Sequence, residues 1–110
     1  MSRPLLLDLF CGAGGGGYGG YHRAGFDVVG VDIKPQPHYP FEFEQADVME
    51  FIRDDLKDWY FPVHAIHASP PCQDYSTTRS LHARQYPRLI GPVRALLQAT
   101  GLPYVIENVV

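Results

Sequence analysis

Two cysteines among 110 residues allow one disulfide at most, which excludes a small domain held together by bridges. No apolar run approaches the ~18 residues of a membrane span, and the N-terminus lacks the charged-then-apolar pattern of a secretory signal. An intracellular protein with reduced thiols and no membrane partner is expected, in the cytoplasm of a bacterium or of a phage-infected cell. Basic charge is not in excess: nine Lys and Arg face twelve Asp and Glu, a net charge of −3. The overall balance therefore does not mark a nucleic-acid binder. Internal repeats, linkers and low-complexity tracts are missing apart from one glycine run. A chain of this length is one domain at most, with a single modest core.

What is present alternates between strand and helix. Leu5 to Phe10 is a nearly continuous apolar run, as expected of a buried parallel strand. A helix over Tyr18 to Ala24 should end at Gly25. Val28 to Val31 predicts a second strand closed by Asp32, and Pro35, Pro37 and Pro40 then enforce a loop. A third strand is expected within Phe41 to Ala46. Asp47 is placed to cap the next helix, with Glu50 completing a capping-box-like pair, and Met49, Ile52, Leu56 and Trp59 follow at helical spacing. Ala65 to Ala68 predicts strand four, Pro92 to Ala99 a helix stopped by Gly101 and Pro103, and Tyr104 to Ile106 strand five. Five such units predict an α/β doubly wound parallel sheet.

Seven of the eleven glycines fall between Gly12 and Gly20. Glycine lets a backbone approach a ligand closely, and a helix N-terminus after the loop favours an anionic group. Gly12, Gly14 and Gly17 satisfy G-x-G-x-x-G, and Asp32 lies twenty residues beyond Gly12, the spacing of a dinucleotide site. The same strand, loop, helix and ribose-binding acid serve any adenosine cofactor. The lysine of a P-loop is missing. Asp47 could accept from the exocyclic amine of an adenine, besides or instead of capping its helix.

The second informative stretch is Ser69-Pro70-Pro71-Cys72-Gln73. Two prolines fix φ and end strand four stiffly, which holds Cys72 on a loop at the carboxyl edge, where ligands bind in open α/β sheets. Cys72 is read as a nucleophile. Charge is unevenly spread around it: residues 1–74 carry eleven acids and five bases, whereas residues 75–106 carry Arg79, Arg84, Arg88 and Arg94 and no acid. Such asymmetry suits a polyanion-facing surface, or four solvated arginines.

Three ordered motifs, Asp8-Leu9-Phe10-Cys11-Gly12-Ala13-Gly14-Gly15, then Pro71-Cys72-Gln73-x-Tyr75-Ser76, then Glu107-Asn108-Val109, resemble those of the cytosine-C5 methyltransferases. The resemblance spans essentially the whole chain. It implies a Rossmann-like S-adenosylmethionine-dependent fold, incomplete at about five strands, with residues 1–110 forming the N-terminal part of the cofactor-binding and catalytic domain. It further implies methylation of carbon 5 of cytosine, usually in DNA, as in restriction–modification, and in one branch in tRNA.

By the same resemblance, Phe10 stacks on the adenine and Cys11, Gly12, Ala13, Gly14 and Gly15 line the cofactor. Asp32 holds the ribose and Ile33 lies beside the adenine. Asp47 takes the adenine amine, with Val48 packing nearby; Pro71 and Leu89 complete the cofactor set. Cys72 and Glu107 are the catalytic pair, while Gln73, Ser76 and Arg79 contact DNA. No metal is called for. The thiolate adds to carbon 6 so that carbon 5 can accept a methyl group, Glu107 bonds N3 and the amino group of the ring, and the nucleotide must leave the helical stack.

Two departures stand out. Asp74 and Tyr75 replace the small residue and phenylalanine usual in the family, and Asp74 adds a negative charge beside the nucleophile. The sequence also stops two residues after Asn108, without the arginine-bearing motif, target-recognition region and C-terminal helix of the family. A fragment, a truncation or half of a split enzyme is expected, with a second chain or the missing half supplying target recognition. Other readings are a non-catalytic cofactor- or DNA-binding module, a nicotinamide-dependent half-domain, and a zinc deaminase. The last needs C-x-x-C and H-x-E, and Cys72 has no cysteine three residues on. His64 and His67 read as strand-end histidines on opposite faces.

Overall fold

Leu5–Leu9 forms strand β1, buried at all five positions, which places it at the centre of a sheet covered on both faces. The computed structural model describes residues 3–13, 18–59, 62–70 and 90–107. Within them follow α1 (Tyr18–Arg23), β2 (Asp27–Asp32), β3 (Glu42–Gln45), α2 (Val48–Glu50), β4 (Ala65–Ala68), α3 (Ile90–Thr100) and β5 (Tyr104–Ile106). The strand order is β3-β2-β1-β4-β5, and every pairing is parallel. Chain progression reverses between β1 and β4, so the doubly wound sheet expected from the sequence is present.

Alternation along β1 sorts the two faces. Leu5, Leu7 and Leu9 join Val29, Val31, Ile66 and Ala68 in the larger cluster, under Val48, Phe51 and Ile52 and under Val93 and Leu97 of α3. Leu6 faces the other way, with Val28, Cys11 and Tyr39, against Tyr21, Phe26, Phe41 and Phe43. Asp8 shares this second face and is buried, as is His67, its direct neighbour in the β1–β4 register.

The strands and helices fall within a residue or two of their expected positions, with one difference of kind. The segment after Asp47 is not a uniform α-helix. It begins as one, with Phe51 N–H donating to Asp47 O at 2.8 Å, and Asp47 Oδ1 accepts from Glu50 N–H at 3.1 Å as the expected cap. It then widens into a π turn over Phe51–Asp55 and tightens into a 3₁₀ turn over Leu56–Asp58. Widening brings the adjacent residues Phe51 and Ile52 both into the core, and Trp59 packs edge-on against Phe51 at 5.5 Å. A pattern read at 3.6 residues per turn finds Ile52 and passes over Phe51.

A cleft of about 600 Å³ opens between this segment and α3, lined by Leu56, Trp59, Val63, Leu96 and Leu102 among others. Val63 and Leu102 precede β4 and β5, so it lies at the amino edge of the sheet, opposite the motifs of interest. No helix among the described residues is long and apolar enough to cross a membrane.

Candidate active site at the carboxyl edge

Each strand hands its pairing to the residue that follows, so the loops at the carboxyl edge are held in sequence across the sheet. Ala46 N–H donates to Asp32 O at 2.9 Å, Cys11 to Val31 O at 3.3 Å, Ser69 to Leu9 O at 3.2 Å and Glu107 to Ala68 O at 2.8 Å. The edge therefore reads Asp47, Asp32, Gly12, Pro70, Glu107, at roughly 5 Å per strand. Open α/β sheets bind ligands where the strand order reverses, here at the ends of β1 and β4, next to Gly12 and Ser69.

On the β2 side, Asp32 Oδ2 accepts from Gly12 N–H at 2.9 Å and Oδ1 from Lys34 N–H at 3.1 Å. Gly12 has φ +55°, and a Cβ there would meet nothing within 4 Å among the described residues. Phe10 adopts φ +58°, a conformation costly for a bulky residue and concentrated at functional sites; its partly buried ring packs against the larger cluster. Ile33 is 59% exposed, an apolar side chain presented beside the carboxylate.

Two of the expected cofactor contacts have side chains committed to packing. Cys11 is buried in the smaller cluster, and burial first, then Asp8 and Asp32, push its thiol up to about 12. Val48 is buried in the larger cluster. Whatever these two offer a ligand comes from the main chain. Asp47 caps its helix through Oδ1.

On the β4–β5 side, Pro70 is fully buried and anchors the chain two residues before Cys72. Glu107 is about half exposed, and its Oε1 lies 3.1 Å from Nε2 of buried His67. His67 Nε2 is also 3.0 Å from Ser69 Oγ, and Nδ1 is 2.8 Å from the Tyr21 hydroxyl. Reading the sequence overlooked Tyr21 and His67 as parts of the site. The available signal was the two-residue period of β4, which puts His67 on the face of Asp8. Burial, then Glu107 and Asp8, raise the Tyr21 hydroxyl.

Asp8, within β1, is buried on the second face, where the Tyr39 hydroxyl donates to its Oδ2 at 3.0 Å, and burial raises its carboxyl despite that bond. His64 lies just before β4 and accepts from Leu5 N–H through Nδ1 at 3.0 Å. No group of three or more His, Cys, Asp or Glu among the described residues is arranged to hold a metal ion. Gly14, Gly15, Pro71, Cys72, Gln73, Ser76, Arg79 and Leu89 lie outside the described residues.

A five-stranded, all-parallel sheet whose order reverses between β1 and β4 is the architecture of a Rossmann-like methyltransferase fold, incomplete at five strands. The family model for the C-5 cytosine-specific DNA methylases matches residues 5–109, and the chain belongs to that family. It is 30% identical over 123 aligned residues to the type II methyltransferase M.XorII of Xanthomonas oryzae pv. oryzae. That alignment takes in 99% of this chain and 29% of the relative. The chain thus spans less than a third of the length of that relative.

Proposed function

We propose that this chain is the cofactor-binding and nucleophile-bearing part of a DNA cytosine-5 methyltransferase acting inside the cell. The observation that carries the reading is the order of residues along one sheet edge, with Gly12 and Asp32 on one side of the β1–β4 switch point and Pro70 and Glu107 on the other. The family match over residues 5–109 supports it.

The near side suits an adenosine-type cofactor. Gly12 leaves room where a side chain would stand, Asp32 keeps lone pairs for ribose hydroxyls beyond its two backbone bonds, and Ile33 offers an apolar surface to a purine. With Phe10, Ala13, Gly14, Gly15, Asp47, Pro71 and Leu89, these residues would hold S-adenosylmethionine, which supplies a methyl group on a cationic sulfur. The protein's own part is to bring a nucleophile and a carboxyl group to opposite parts of one ring. Cys72 bonds carbon 6 and later leaves. Glu107 engages N3 and the amino group, offsetting charge as the adduct forms. Gln73, Ser76 and Arg79 position the strand that carries the flipped nucleotide, largely through phosphates.

The test is covalent trapping. Full-length protein, incubated with S-adenosylmethionine and an oligonucleotide carrying 5-fluorocytosine in its target, is expected to give an adduct that resists denaturation and maps to Cys72. A Cys72→Ala variant should give none. Absence of an adduct with folded wild-type protein would remove the assignment.

Because the aligned region is 29% of the relative, target recognition is assigned to sequence outside these 110 residues, in the same polypeptide or in a second chain. Robust sequence-specific methylation by residues 1–110 alone would refute that division. Failure to turn over, combined with retained S-adenosylhomocysteine binding, would favour a non-catalytic module or half of a split enzyme.

A further inference from the structure

We propose that His67 is a positioning residue for Glu107, with Tyr21 fixing the tautomer in which it acts. The inference rests on the catalytic reading of Glu107 and adds residues that the three family motifs do not contain. Three contacts define the arrangement: Tyr21 Oη to His67 Nδ1 at 2.8 Å, His67 Nε2 to Glu107 Oε1 at 3.1 Å, and His67 Nε2 to Ser69 Oγ at 3.0 Å. They join α1, β4 and the residue after β5, elements 46 and 40 residues apart from His67 in sequence.

The hydrogen-bond inventory assigns the protons. An ionised carboxylate only accepts, so Nε2 carries the hydrogen and donates to Glu107 Oε1, sharing it with Ser69 Oγ. In the neutral ring Nδ1 is then an acceptor, and the Tyr21 hydroxyl donates to it. The groups facing the imidazole are Asp8 from β1, Tyr21 from α1, Ser69 from the β4 end and Glu107 from the β5 end. The ring is 4% exposed and packs edge-on to Tyr21 at 5.2 Å, so it cannot swing away. Glu107, half exposed on a flexible stem, can. A rigid donor gripping Oε1 removes that freedom, which is the preorganisation a catalytic carboxyl needs.

Two measurements on the full-length protein test this. In ¹⁵N-histidine spectra the His67 ring should show the Nε2–H tautomer. Its signals should move in a Glu107→Gln variant and change again in Tyr21→Phe. A His67 resonance indifferent to Glu107→Gln would overturn the proposal, whatever the enzyme's activity. Kinetically, His67→Phe should lower kcat about 10- to 100-fold, the scale of a misplaced reacting group, with S-adenosylhomocysteine affinity unchanged. His67→Gln, whose side-chain amide can donate toward Oε1, should recover part of the loss. Wild-type turnover in a folded His67→Phe protein would sink the positioning role. If His67→Phe does not fold, the milder Tyr21→Phe variant carries the test, and unchanged kcat together with an unchanged tautomer counts against it. Failure of wild-type protein to trap 5-fluorocytosine would instead remove the catalytic reading of Glu107, leaving the spectroscopic contact to stand or fall alone.

Discussion

Asp32 Oδ2 accepts a hydrogen bond from Gly12 N–H at 2.9 Å, joining the end of β2 to the turn that follows β1. One carboxylate thereby fixes the main chain at Gly12. Under the proposed function it also takes the ribose, and the two jobs are compatible, since each oxygen of an ionised carboxylate has two acceptor sites.

Removing that carboxylate should weaken cofactor binding twice over. Asp32→Ala is expected to raise the Kd for S-adenosylhomocysteine on the order of 10- to 100-fold, from the ~1.5–3 kcal/mol of a hydrogen bond to a charged group. Titration calorimetry reads this directly. Asp32→Asn keeps one acceptor for Gly12 and should lose less. Equal affinity in wild type and Asp32→Ala would remove Asp32 from the binding site.

Gly30 is packed, not merely permissive. A Cβ there would stand 2.6 Å from the Tyr39 ring and 2.8 Å from Cys11 Sγ. Gly30→Ala should therefore lower stability by roughly 1–3 kcal/mol, as overpacking does. Denaturant unfolding measures it, and a neutral result would show that the proline loop carrying Tyr39 yields easily.

Asp8 gives the fold a pH dependence of known sign. Burial raises its folded-state carboxyl above the ordinary value of 3.8, so between that value and its folded value the native state holds more proton than the unfolded chain. Stability then falls as pH rises through that window and levels off above it. Asp8→Asn, which still accepts from Tyr39, should abolish this component. Urea midpoints for the two proteins, compared from pH 4 to 7, should diverge with rising pH in favour of the variant; parallel curves would contradict it.

The two thiols should differ sharply in reactivity. With its thiol pushed up to about 12, Cys11 has a thiolate fraction of roughly 10⁻⁴ at pH 8, and its side chain is also buried. Brief alkylation of native protein, read by peptide mass spectrometry, should modify Cys72 and spare Cys11, which reacts only after unfolding. Equal labelling would mean that Cys11 is accessible.

Much of the sheet was legible because buried parallel strands are short apolar runs: Leu5 to Leu9 and Ala65 to Ala68 announce themselves, and Gly101, at φ +73°, ends α3 where expected. Parallel pairing followed from the alternation of strand and helix. The fate of Asp8 was not legible, because its partner Tyr39 is 31 residues away in a loop whose prolines forbid regular structure without saying where it folds. The same holds for Tyr21 and His67, whose convergence with Glu107 is a property of the assembled sheet. The π turn is local, yet its cause is core shape, so no periodicity in Phe51 to Asp55 discloses it.

The backbone ladder at the carboxyl edge makes strand length a harder constraint than strand composition. Leu7 could become another aliphatic residue with little consequence, but one residue inserted into β4 would turn His67 from one face of the sheet to the other. It would also displace Ser69 and Pro70 by a step relative to Glu107. Divergence in such a protein is expected to accumulate as exchanged side chains and lengthened loops, while the number of residues between the sheet centre and its carboxyl rim stays fixed.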